Sequence, residues 1–271
     1  MGAASRMLPD GKRLHLHHGP IDLVVWADDG ARVGAYARAK ARFDGLLEEL
    51  VLELADLRRP DPPPVKSLAA RRMQAATAPF LPAFITPMAA VAGAVADEVL
   101  SVMIQEPDVR KAYVNNGGDI AFHLTPGESV TAAMAGGEIR LDHATPWRGI
   151  ATSGWRGRSH SLGIADAVTV IADCAARADA AATLIANAVD LPAHPAITRV
   201  PACELAPDSD LGDRLVTTKV GQLSEADVEF ALNKGLAAAQ DMQSRGLIGA
   251  AYLELQGRTR VLAAKEEMIH A

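Results

Sequence analysis

Asp179 and Thr183 stand four residues apart in an alanine-rich run, Ala178-Asp179-Ala180-Ala181-Ala182-Thr183. On a helix that spacing brings a carboxylate and a hydroxyl to one face. Two hard oxygens so placed suit a cation such as Mg²⁺, which takes oxygen ligands at about 2.1 Å and usually keeps waters and substrate phosphate. Upstream, Thr152, Ser153 and Gly154 supply hydroxyls and free backbone N–H groups, the material of a phosphate cradle. Between them runs Val168-Thr169-Val170-Ile171, an apolar and β-branched stretch. The whole reads as a metal and phosphate site between a small-residue loop, Ala151 to Gly154, and a helix. Each piece also has a plainer account: Asp is favourable near a helix N-terminus, and a mid-helix Thr can bond back to a carbonyl.

Other candidate groups lie outside that stretch. Asn115-Asn116-Gly117-Gly118-Asp119 carries the strongest short hairpin signal, Asn-Gly, and also places polar groups beside glycines that let a ligand approach the backbone. The run Thr86 to Gln105 starts with Thr86 as N-cap and Pro87 at the first helical position. Its small residues Ala89, Ala90, Ala92, Gly93 and Ala96 serve either close helix packing or a ligand lying on bare backbone. His15 and His17 share a strand face, a spacing that can grip a transition metal, but equally suit solvent or core. Ser159 and Ser161 flank His160, yet there is no Gly-x-Ser-x-Gly elbow and no phosphate-binding P-loop.

The chain has 271 residues, 49% hydrophobic and 22% charged, with a net charge of −6. That composition is ordinary for a soluble globular protein. Net acidity and 4% aromatics argue against a nucleic-acid partner. Arg156 and Arg158, beside Gly154, better suit a phosphorylated small molecule. Cys174 and Cys203 are too few for a disulfide scaffold or a cysteine metal site. With no signal peptide in view they point to a reducing cytoplasm. Ala75 to Ala96 carries no charge and could span a bilayer by length. Pro79, Pro82 and Pro87 interrupt it, so no membrane segment is expected.

The elements that must position these groups follow from periodicity. Residues 13–27 read as two strands around Gly19-Pro20. Ala31 to Leu57 reads as one long amphipathic helix, ended by Arg58-Arg59-Pro60 and a stiff Pro-rich connector. Strands are expected on either side of Asn116-Gly117, at Ser129–Met134 and Glu138–His143 about a turn at Gly136-Gly137, and near Leu215. A Pro-rich loop follows Asp190. Ser224 N-caps a helix reaching Gln243, and a last hairpin joins Ala250–Leu255 to Thr259–Ala263. Hairpins punctuated by helices predict an α+β fold with mostly antiparallel sheets and packed helices.

In order, the small-residue helix, N-x-G-G-D-I, T-S-G, V-T-V-I-A and A-D-A-x-A-T together resemble the ApbE superfamily of flavin transferases. Here they are Ala90–Asp97, Asn115–Ile120 with one extra Asn, Thr152–Gly154, Val168–Ala172 and Ala178–Thr183, and the overall look is closest to a short, uncharacterised branch. The resemblance implies an ApbE/T-fold-like architecture over residues 1–271, as one domain or two intimately joined α+β halves. It implies Mg²⁺ on Asp179 and Thr183, completed by a backbone carbonyl near Ala90 to Ala92. It also implies FAD or a related flavin or nucleotide against Ala92, Gly93, Asn116, Gly117, Gly118, Asp119, Thr152, Ser153 and Gly154. The implied activity is FMN transfer from FAD to a Thr of an acceptor protein, or FAD pyrophosphate cleavage. The alternative is a non-catalytic flavin-binding or accessory role. A homodimer is permitted by the sequence but not required. Two departures mark this chain. The transferases carry a Lys where Ala92 stands, before Gly93, and an H-x-x-D-P-x-T-G stretch that is here shortened to His160-Ser161-Leu162-Gly163.

Overall fold

In the computed structural model, residues 2–134 and 137–263 are described. Strands β1 (Ala4–Met7), β2 (Leu14–His18) and β3 (Ile21–Ala27) open the chain, followed by helices α1 (Arg32–Phe43), α2 (Leu46–Leu52), α3 (Leu54–Leu57), α4 (Leu68–Thr77) and α5 (Val91–Met103). Strands β4 (Lys111–Asn116), β5 (Asp119–Leu124), β6 (Ser129–Met134), β7 (Gly137–Asp142), β8 (Gly149–Ser153) and β9 (Ala167–Ala172) come next. Helix α6 (Ala175–Ala188), strand β10 (Ile197–Pro201), helix α7 (Ala202–Leu205), strand β11 (Leu215–Val220), helix α8 (Glu225–Ser244) and the hairpin β12 (Ala250–Leu255) and β13 (Arg258–Leu262) complete it.

Nine strands form one sheet in the order β1-β2-β3-β4-β5-β8-β9-β12-β13. Every neighbouring pair is antiparallel. The expected α+β class with antiparallel sheets therefore stands. Period-two alternation sorts the side chains between the two faces. Leu14, Leu16, Leu23, Val25, Val114, Ala121, Ala151, Val168 and Val170 join the larger core under the helices. Phe122, Ile150 and Ile171 point the other way, into a smaller core with Leu141 of β7 and Trp147, roofed by the β6–β7 hairpin.

Helix α6 is alanine-rich because protein surrounds it: Ala175, Ala176, Ala178, Ala180, Ala181, Ala182 and Ala186 are all buried, and it packs on α5, β8, β9 and α8. A helix enclosed on several sides shows no single apolar stripe.

Four expectations are corrected. The long helix over 31–57 is three helices, because Asp44 is extended and Gly45 turns left-handed at φ +81°. Ala151 to Ser153, expected as loop, lies in the central strand β8. Thr86 does not cap its helix; Pro87–Ala90 forms a 3-10 turn before α5 begins, and Thr86 Oγ1 donates to Asp210 instead. The Pro-rich loop after Asp190 contains β10 and α7. Strand β1 and helix α4 are further elements that sequence reading missed. Ser224 caps α8 as expected, accepting from Asp227 N–H. The turn expected at Gly136 lies outside the described residues. Among those residues no helix is long and apolar enough to cross a membrane.

Candidate functional site

Helices α5 and α6 meet at their N-termini, where each leaves unpaired N–H groups. Gly93 N, in the first turn of α5, donates to Asp179 Oδ2 of α6 at 3.1 Å. In return Asp97 of α5 accepts from Ala175 N at 3.1 Å and Ala176 N at 2.9 Å, the opening residues of α6. Close approach makes this possible: a Cβ on Gly93 would lie 2.3 Å from the Ala175 carbonyl oxygen. The small-residue side of α5 is thus explained in part by packing.

The sheet contributes from the same face. Asn116, at the end of β4, donates through Nδ2 to the Ala92 carbonyl at 3.1 Å. The turn after it needs Gly117 at φ +66°, and Asn115 Oδ1 closes it by accepting from Gly118 N at 2.8 Å. Asp119 opens β5, buried, and accepts from Thr152 N at 3.2 Å. Arg158 reaches over this turn; its guanidinium fills the space that a Cβ on Gly117 would need.

The electrostatics are those of acidic groups short of positive charge. Burial pushes the Asp119 carboxyl up to about 7, against the opposing pull of the Thr152 N–H and the Arg158 charge. Asp179 is raised well above the usual carboxylate range, first by burial, then by the negative charge of Asp119, with the Gly93 and Ala92 N–H groups opposing. The residue keeps some solvent contact, but its carboxyl is enclosed by protein. Asp97 is lifted to about 6 by burial, partly offset by its two N–H donors. Two enclosed carboxylates that repel each other gain by admitting a cation, since an opposite charge favours their ionised form. The donors at hand are all oxygens: Asp119, Asp179, Thr183 and the Ala92 carbonyl. Thr183 makes no side-chain hydrogen bond among the described residues, unlike Thr77, which bonds back to the Met73 carbonyl. No group of three or more His, Cys, Asp or Glu side chains converges to hold a metal among the described residues. Two carboxylates, a hydroxyl and a carbonyl, completed by waters, are a set of hard oxygens that suits Mg²⁺.

Several expected residues are placed differently. Thr152 shares a strand parity with Ile150, and its hydroxyl pairs with Thr169 Oγ1 at 2.9 Å on the opposite face. Only its N–H serves the cluster. Ser153 shares parity with Ala151, on the helix side. Gly154 is buried where a Cβ would lie 2.5 Å from the Asp166 carbonyl oxygen, a packing need. Arg156 pairs with Asp166 at 2.7 Å and covers the Trp155 ring, so of the two arginines Arg158 alone attends the site. His160 is exposed, while Ser161 and the Leu162 N–H bond to Asn187. His15 bonds to Asp22 at 3.0 Å and His17 is exposed. Two surface cavities, about 420 and 270 Å³, are lined by other residues altogether. Sequence reading gave Asp97 no role; the acidic pair Asp97-Glu98 inside an apolar helical run was its signal.

A family model described as AbpE bacteria matches residues 5–261. A UPF0280 protein of Methanopyrus kandleri is 34% identical over 187 residues, covering 61% of this chain and 69% of that one. A UPF0280 protein of Methanococcus maripaludis is 40% identical over 112 residues, 38% of this chain and 45% of its own length. Among solved structures, the apo flavinyl transferase ApbE of Pseudomonas stutzeri aligns over 99% of this chain and 96% of its own, at TM-score 0.46 and 14% identity. The H257G mutant of flavin transferase ApbE from Vibrio cholerae aligns over 91% and 79%, at TM-score 0.36 and 16% identity.

Proposed function

The chain belongs to the AbpE bacteria family, and on that premise we propose that it binds FAD or a related phosphorylated ligand together with Mg²⁺ at the α5–α6 junction. The observation that carries this is the buried carboxylate pair, Asp119 and Asp179, both raised by burial and Asp179 further by the Asp119 charge, beside a glycine turn and one arginine. Asp179, Thr183 and Asp119, with the Ala92 carbonyl, would hold the cation. Bound there, Mg²⁺ offsets charge on a pyrophosphate and orients its leaving group.

The chain's own residues have separable tasks. Asn116 fixes the Ala92 carbonyl. The Gly93 N–H keeps Asp179 pointed at the junction. Arg158, exposed over Gly117, adds the positive charge that phosphate oxygens seek. Scission of the pyrophosphate P–O bond would leave AMP and pass the FMN phosphoryl either to a hydroxyl of an acceptor protein or to water.

The test is incubation of the protein with FAD and Mg²⁺, with FMN and AMP followed by chromatography. Turnover that disappears with Asp179→Ala and with chelator supports the reading; no product from the wild-type chain rejects catalysis. One observation favours a second reading, in which the ligand binds and leaves unaltered. Ala92 stands where the similar transferases carry a Lys, so that cation is missing. Saturable, Mg²⁺-dependent FAD binding without product would select it.

A further inference from the structure

On the reverse face of the large sheet, away from the carboxylate cluster, Trp26 of β3 lies directly opposite Tyr113 of β4. Their rings are stacked, with centroids 5.8 Å apart and planes 14° from parallel. The β6–β7 hairpin roofs the neighbouring part of that face, Val130 and Thr131 of β6 lie beside the pair, and Tyr113 packs at the rim of the smaller core. A cavity of about 420 Å³ remains, within the usual range for small-molecule sites.

Its charge is opposite to that of the chain. Lys12, Arg13 and Lys111 line it against a single carboxylate, Asp10, in a protein of net charge −6. Lys111 Nζ sits 5.9 Å from the Trp26 ring centroid and gives one donor to the Ser129 carbonyl, leaving two. Arg13 gives its Nε to Asp10, and its charge also bears on the Tyr113 hydroxyl, leaving part of its five-donor guanidinium. The Lys12 side chain is exposed at the rim, on the β1–β2 loop.

We infer that this cavity is a second ligand site, for an anionic molecule with a planar aromatic ring system, of the nucleoside-monophosphate class. Trp26 and Tyr113 both line the cavity, and a planar base would lie against them without regard to its hydrogen-bonding edge. The lysines and Arg13 would receive the phosphate. Nothing in this assignment depends on the flavin reading of the α5–α6 junction.

The test titrates the full chain with AMP in the presence of EDTA, reading heat and tryptophan fluorescence. EDTA keeps any metal-dependent site out of the measurement. The expected result is saturable one-to-one binding with quenched emission, with adenosine weaker by about tenfold for want of the phosphate. Lys111→Met and Lys12→Met should each weaken AMP by about five- to tenfold, and Trp26→Leu should abolish the quench. Asp179→Asn should leave all of this unchanged. Lys12 is on an exposed loop, so its variant stays informative where a sheet variant folds poorly. Absence of saturation at millimolar AMP, equal binding of adenosine, indifference to both lysine variants, or loss of binding in Asp179→Asn would each overturn the assignment.

Discussion

The Asp179 carboxylate stands 3.1 Å from the backbone nitrogen of Gly93, and this contact ties the start of one helix to the flank of another. Asp97 returns the bond to the first residues of α6. The acid expected to face a ligand therefore also satisfies an orphan N–H, so one carboxyl group would serve both binding and helix capping. Loss of Asp179 should carry a cap cost of about 1 kcal/mol, and activity data on Asp179→Ala need a folding control beside them.

Gly93→Ala should destabilise the protein although alanine favours helix by about 1 kcal/mol. The added methyl would sit 2.3 Å from the Ala175 carbonyl oxygen, and that atom is backbone and cannot swing away. Forced separation of α5 and α6 should cost about 1–3 kcal/mol or more. Urea unfolding measures it; a midpoint at or above wild type would mean the helices tolerate the gap.

A pH dependence follows from Asp119, whose folded value near 7 lies above that of an unfolded aspartate. Between about pH 4 and 7 the native state then holds more protons than the unfolded one, so stability falls as pH rises. Asp119→Asn removes that proton uptake and the repulsion on Asp179. Thermal midpoints in EDTA should drop from pH 5 to pH 8 more steeply in wild type than in the variant. Parallel curves would show that Asp119 titrates normally.

Glu98, fully buried in α5, joins Arg42 Nε at 2.8 Å and Arg72 Nε at 2.9 Å. It thereby fastens α1 and α4 to the helix that carries Gly93. Glu98→Ala takes one of two carboxylates from Arg42, which keeps Glu49 through both Nη atoms, and should cost about 1–3 kcal/mol. Arg72 is 40% exposed, and Arg72→Ala should cost much less. Since Glu98→Ala removes both pairs, equal losses would mean that the pair with Arg42 adds nothing.

Local chemistry was legible where one residue dictates one geometry. Asn116-Gly117 announced its hairpin and Ser224 its helix. Legibility failed where tertiary contacts decide. Ala151 to Ser153 look like loop because their side chains are small, yet they form a central strand packed under α6. Thr152 reads as a ligand hydroxyl until strand parity turns it to the far face. The α5–α6 exchange of caps joins residues 78 to 86 positions apart, and no local pattern reports it.

Ala92→Lys is the substitution that separates the two readings of the junction. The Ala92 N–H is among the groups that hold the Asp179 carboxyl, and its carbonyl is fixed by Asn116. The residue is partly exposed, leaving room for a longer side chain. An ammonium group there would favour the ionised forms of Asp119 and Asp179 and would offset charge on a pyrophosphate. If the missing cation limits the chemistry, FAD and Mg²⁺ should yield AMP at least about tenfold faster than with wild type, as one charge-assisted contact made in the transition state would supply. Adding Asp179→Ala to that variant should return the rate to background. FAD bound as tightly as before with no gain in AMP would place the limit elsewhere, in the shortened stretch about His160.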